Sequence, residues 1–168
     1  NLACKGCYIE SSPKNDRLAY LSINEFKTFV NESIQNEMGT EQIGFTGGEP
    51  FMNRDIFKMI EYSLDNNFKT LLLTNAMKPM INKKNDLIRL NHLNLTIRVS
   101  IDHYSKEKHE LVRGRNSWAP MIEGLKWLSK NNFNYCLATR LMWNEDEKTV
   151  RNNFKKFIKD KELKINAD

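Results

Sequence analysis

Four short apolar runs, at residues 42–46, 69–74, 95–101 and 135–141, alternate with longer stretches in which apolar side chains recur every three or four residues. This alternation constrains the fold more than any other feature of the chain. Strands joined through helices within one sheet close by right-handed crossovers, so the repeat predicts βαβ units and a parallel sheet. Residues 164–166 offer the start of a fifth strand. Periodicity alone leaves an open sheet and part of a barrel equally available. The chain has 168 residues, 40% of them hydrophobic, with no Pro/Gly-rich linker or repeat, so one domain is expected.

The helical stretches carry start and stop signals. Ser22 and Glu25 have capping-box spacing for a helix over 22–37, with Phe26, Phe29, Val30 and Ile34 on one face. Asn53 is the expected cap of a second helix, which buries Ile56, Phe57, Ile60 and Leu64 and stops at Asn66-Asn67. Further helices are predicted over 84–91, 121–130 and 144–159, the last with Val150, Phe154, Phe157 and Ile158 on one side. The run Leu71-Leu72-Leu73 predicts a strand covered by helices on both faces.

No apolar run reaches the length of a membrane span, and the amino end lacks the tripartite order of a signal peptide, so a cytoplasmic protein is expected. Lys plus Arg outnumber Asp plus Glu by 26 to 21, a net charge of +5. That surplus is spread over many predicted helix faces, which favours acidic ligands without requiring nucleic acid.

Three cysteines do not make a disulfide framework. Cys136 lies in an apolar run and is expected to be a buried small side chain. Cys4 and Cys7 form C-x2-C, which suits metal or redox chemistry. A zinc site needs two more ligands, and His92, His103 and His109 show no partner spacing. A thioredoxin-like pair needs a strand before it and a helix after it. An iron–sulfur cluster needs a further cysteine upstream.

In a parallel α/β sheet the ligand site lies beyond the carboxyl ends of the strands. There the sequence places Thr46-Gly47-Gly48-Glu49-Pro50, Thr74-Asn75, Ser100 with Asp102, and Arg140. The glycine pair lets backbone approach a ligand closely. Glu49 suits either pairing with a ligand ammonium or an acid in a tight turn before a helix.

Taken together these motifs resemble the radical S-adenosylmethionine enzymes. Members carry C-x3-C-x2-C followed by an aromatic residue, and this chain begins Asn1-Leu2-Ala3-Cys4-Lys5-Gly6-Cys7-Tyr8, so a cysteine directly before Asn1 completes the motif. The likeness continues through Gly47-Gly48-Glu49-Pro50, Thr74-Asn75 and Ser100-Ile101-Asp102 to His109-Glu110-Leu111-Val112-Arg113-Gly114. It implies an α/β fold, an incomplete (β/α)6 partial TIM-like barrel of parallel strands with the first strand missing. Residues 1–168 are then a core domain truncated at both ends.

The resemblance implies a 4Fe–4S cluster and S-adenosylmethionine as cofactors, with an external electron donor such as flavodoxin or ferredoxin. Reductive cleavage of S-adenosylmethionine then gives a 5′-deoxyadenosyl radical that takes hydrogen from a peptide or small-molecule substrate. Cys4 and Cys7 are the implied cluster ligands, and Tyr8 stands near the adenine. Gly47, Gly48 and Glu49 receive the methionine ammonium, Ser100 and Arg113 hold its carboxylate, and Asn75 and Asp102 face the ribose or the substrate. With two thiols of its own, the fragment by itself is expected to hold an incomplete or labile cluster. The segment from His109 to Gly114 resembles the subgroup that matures peptides or modifies haem-like cofactors. A rival from another class is a non-enzymatic metal- or nucleic-acid-binding module using Cys4, Cys7 and the basic surface.

Overall fold

The computed structural model describes residues 2–7, 9–12, 14–15 and 19–165. Four parallel strands, β1 (Gln42–Phe45), β2 (Lys69–Thr74), β3 (Leu95–Ser100) and β4 (Tyr135–Ala138), form one unclosed sheet in the order β1-β2-β3-β4. Each strand adds beside its predecessor, the arrangement of a βαβ series wound one way. The expected parallel α/β architecture is present as an open partial barrel.

Helix α1 (Ile23–Gln35) opens on the capping box read in the sequence: the Ser22 hydroxyl accepts the Glu25 N–H, and the Glu25 carboxylate accepts the Ser22 N–H at 2.9 Å. Its apolar face is narrower than its spacing predicts. Phe26 and Val30 are buried, whereas Phe29 and Ile34 are exposed, because α1 packs beside α2 (Ile56–Asp65) and meets it along a thin stripe.

Asn53 does not cap α2; Asp55 holds that position. Asn53 instead ends a 3₁₀ turn (Pro50–Met52), accepting the Asp55 N–H at 2.8 Å and donating to the Leu21 carbonyl at 2.9 Å. Its side chain therefore ties two loops together.

After β2 come α3 (Lys78–Ile81) and α4 (Lys84–Arg89); after β3 come α5 (Lys106–Arg113) and α6 (Trp118–Lys130); α7 (Glu147–Asp160) follows β4. Periodicity did not foresee α3, which is one turn long, or α5, where only His109 and Val112 are buried. Asp146 caps α7 by accepting the Thr149 N–H at 2.9 Å. Among the described residues 163–165 no strand forms, and Asn166 lies outside them.

Leu72, Ile97 and Val99 are fully buried beneath the helices, but Leu71 and Leu73 are only half-buried. The expectation of helices on both faces is thus corrected: alternate residues of β2 and β3 point to an inner face that helices do not cover. The outer core gathers Ile60, Leu72, Met80, Leu87, Leu125 and Leu128, each worth roughly 1.5–3 kcal/mol by burial alone. Gly124 lets α6 lie directly on the chain leaving β2, since a Cβ there would stand 1.8 Å from the Ala76 carbonyl oxygen.

Candidate cofactor site at the strand ends

Strand alternation delivers the site. Leu73 and Asn75, Ser100 and Asp102, and Ala138 and Arg140 are pairs two residues apart, so each pair continues the inner face beyond its strand. They bound a cavity of about 240 Å³ together with Cys4, Cys7, Gly47, Gly48 and Arg113. Eight of the candidate residues thus converge on one space: Cys4, Cys7, Gly47, Gly48, Asn75, Ser100, Asp102 and Arg113. Glu49 does not line it, and Tyr8 lies outside the described residues.

The two thiols sit on a loop folded by local bonds. The Cys7 N–H donates to the Cys4 carbonyl at 3.3 Å and the Glu10 N–H to the Cys7 carbonyl at 3.0 Å. The loop meets the end of α5 through the Lys5 N–H, 2.9 Å from the Val112 carbonyl. Both thiols are free and half-buried. Burial raises the Cys4 pKa, against the nearby Arg113 guanidinium, which lowers it. Cys136 is half-buried rather than buried, because β4 is an edge strand; burial and nearby Arg98 act on its thiol in the same opposed way, with burial winning.

On the opposite wall Gly47 has φ +131 and open space where a Cβ would stand, so its backbone is accessible to a ligand. Glu49, further along the chain, bonds to the end of β2. It is 3% exposed, and its carboxylate accepts the Thr74 hydroxyl at 2.7 Å, the Asn75 N–H at 2.9 Å and the Phe51 N–H at 3.4 Å. These bonds stitch the glycine turn to the end of β2. Burial nonetheless pushes the Glu49 pKa up.

Asp102 is as deeply buried, at 2%, yet it joins two cations. The Nε of Arg113 donates to Oδ2 at 2.6 Å, and the Nε of Arg140 to Oδ1 at 2.8 Å. Burial alone would raise its pKa, but the two guanidiniums outweigh that and hold it below the usual carboxylate range. Sequence reasoning put Arg140 at the rim without a role; nothing in the local pattern signals a bond spanning 38 residues.

The remaining polar groups near the rim form separate sets. Glu145 accepts the Tyr104 hydroxyl at 3.0 Å and the Lys108 ammonium at 2.8 Å, and lies 3.3 Å from His103 Nε2. Trp143 borders this set, edge-on to His103. His109 is fully buried against Trp118, and burial, reinforced by Arg113, lowers its pKa to about 4. Among the described residues no three His, Cys, Asp or Glu side chains are grouped to hold a single metal ion. No helix among them is long and apolar enough to cross a membrane.

The donor set fits a thiolate-ligated cluster and an amino-acid ligand in its chemistry. Two soft sulfur ligands share a cavity with accessible glycine backbone, a hydroxyl and a guanidinium whose Nε is already oriented.

The chain is similar to several known proteins. The chain is 32% identical over 130 residues to the antilisterial bacteriocin subtilosin biosynthesis protein AlbA of Bacillus subtilis, covering 77% of this chain and 28% of AlbA. It is 25% identical over 168 residues to GTP 3′,8-cyclase of Pasteurella multocida, covering 98% of this chain and 48% of the cyclase. It therefore spans less than half the length of these relatives. The fold superposes on Streptococcus suis SuiB bound to S-adenosylmethionine with a TM-score of 0.74 at 16% identity, covering 97% of this chain and 36% of SuiB. Residues 1–156 match the sequence pattern of the Radical SAM superfamily, and on that match the chain belongs to this superfamily, whose enzymes use a 4Fe–4S cluster and S-adenosylmethionine.

Proposed function

We propose that residues 1–168 are the core domain of a longer enzyme that cleaves S-adenosylmethionine reductively and removes a hydrogen atom from a peptide. The observation that carries this reading is the single cavity shared by the C-x2-C thiols, the Gly47-Gly48 backbone, Ser100 and Arg113. The cofactor pair supplies the radical chemistry; the chain holds and orients it.

Cys4 and Cys7 are cluster ligands in this reading. The glycine turn receives the methionine ammonium by backbone approach, and Glu49 supports it by fixing that turn to β2. Ser100 and the free edge of the Arg113 guanidinium take the carboxylate, a match for a planar fork. Asp102 aims Arg113, Asn75 is assigned to the ribose, and Tyr8, outside the described residues, is assigned to the adenine by the family resemblance alone. Leu2, Ile9 and Leu73 line the same cavity and keep part of it dry. A peptide is favoured because the 32% identical relative is a bacteriocin biosynthesis protein. The net charge of +5 suits an acidic electron donor such as flavodoxin or ferredoxin, and free thiols suit a cytoplasmic setting.

The test is anaerobic reconstitution of the full-length protein with iron and sulfide, then dithionite and S-adenosylmethionine. Cluster absorbance and release of methionine and 5′-deoxyadenosine are expected, with both lost in Cys4→Ser and Cys7→Ser. A bound cluster that yields no 5′-deoxyadenosine overturns the enzyme reading. Deuterium failing to pass from a labelled precursor peptide into 5′-deoxyadenosine removes the peptide and leaves the cleavage.

A further inference from the structure

We infer that Arg140 is a positioning residue that fastens the cysteine loop to the sheet, acting through a two-ended bond that Asp102 orients. Its relevance to the cluster rests on the function proposed above; the fastening itself does not.

Arg140 leaves the end of β4, the edge strand farthest from β1. Its Nε donates to Asp102 Oδ1 at 2.8 Å, and its Nη1 donates to the Gly6 carbonyl at 3.1 Å. Gly6 lies between the two cysteines, so the guanidinium grips the loop at its midpoint. The backbone conformation at Gly6, φ +65, is one that L side chains rarely adopt, and a Cβ there would stand 3.6 Å from Arg140 Nη1.

The order of the contacts decides what kind of device this is. Asp102 is 2% exposed and is bonded to Arg113 on its other oxygen, so it is a fixed point, whereas the Arg140 side chain is 40% exposed. A flexible cation with one end fixed to a buried carboxylate presents its other edge in a set direction. That is a use of the planar fork that lysine cannot reproduce, since a point ammonium has no rigid second edge. The same carboxylate orients Arg113, so the loop carrying the thiols and the guanidinium proposed for the methionine carboxylate share one reference point.

The experiment is hydrogen exchange on the full-length protein in its cluster-free form, comparing wild type, Arg140→Lys and Arg140→Gln. Exchange at Lys5 and Cys7, whose N–H groups make the bonds that shape the loop, is expected to rise about tenfold in both variants, with lysine failing to rescue. Amides of residues 97–99 serve as the control and are expected to be unchanged. Wild-type rates at Lys5 and Cys7 in Arg140→Gln overturn the proposal. So does full rescue by lysine, which would make the effect one of charge, and so does equal acceleration at 97–99, which would make Arg140 a general support of the fold. Because this readout needs no cofactor, a fastened loop in a protein that binds no cluster would defeat the function proposed above and leave this inference standing.

Discussion

Glu49 and Asp102 stand at the ends of different strands, equally buried at 3% and 2%, and their acidities move in opposite directions. Glu49 is hydrogen-bonded by neutral donors, a hydroxyl and two backbone N–H groups, and the Arg113 guanidinium acts on it only as a smaller influence. These bonds soften the penalty of burying a charge without removing it, so the carboxyl is pushed up. Asp102 meets two guanidiniums, and charge against charge exceeds the same penalty. Burial thus sets the cost in both places, and the partner decides the sign. One carboxylate builds the glycine turn; the other aims cations at the cavity.

The comparison breaks most visibly at Asp102. Asp102→Asn leaves two guanidiniums facing an amide, and chemical denaturation should show a loss of about 3 kcal/mol, the lower end of what removing one partner of a buried ion pair costs. Glu49→Gln keeps the volume but turns one acceptor into a donor facing another donor, so about 2 kcal/mol is expected by the same measurement. Thr74→Val deletes a single donor to Glu49 and should cost about 1 kcal/mol.

The smallest effect sharpens the contrast through pH. The Asp102 pKa is lowered by folding, so its contribution is present above 3.8 and lost as pH falls through the folded value. The Glu49 pKa is raised, so its contribution is present below 4.5 and fades as pH rises through the folded value. The penalty of Asp102→Asn should therefore shrink on acidification below 3.8, while that of Glu49→Gln should be larger at pH 4.5 than at pH 7. Parallel penalties across that range would show that the two carboxylates do not differ as described.

Local sequence carries much of the fold. The capping box at Ser22 and the apolar alternation of β2 and β3 are written in neighbouring residues, so their spacing suffices. Helix α5 was not visible because so little of it is buried that no apolar period marks it; it is held by neighbours, with Trp118 against His109 and the Lys5 N–H on Val112. In the site, the glycine turn and the thiols were legible as motifs. The bonds that orient them were not, since Glu49 finds two of its three donors 25 and 26 residues away and Asp102 finds Arg140 38 residues away.

By itself the sequence determined the parallel βαβ order, the residues that reach the strand ends and the C-x2-C spacing of two thiols, because period and residue type are local properties. Only the tertiary structure decided that Glu49 bonds to Thr74 and Asn75, and that Asp102 and Arg140 join the sheet to the cysteine loop. Those outcomes depend on which partner stands within about 3 Å of a buried charge, a distance that chain folding sets and sequence separation does not.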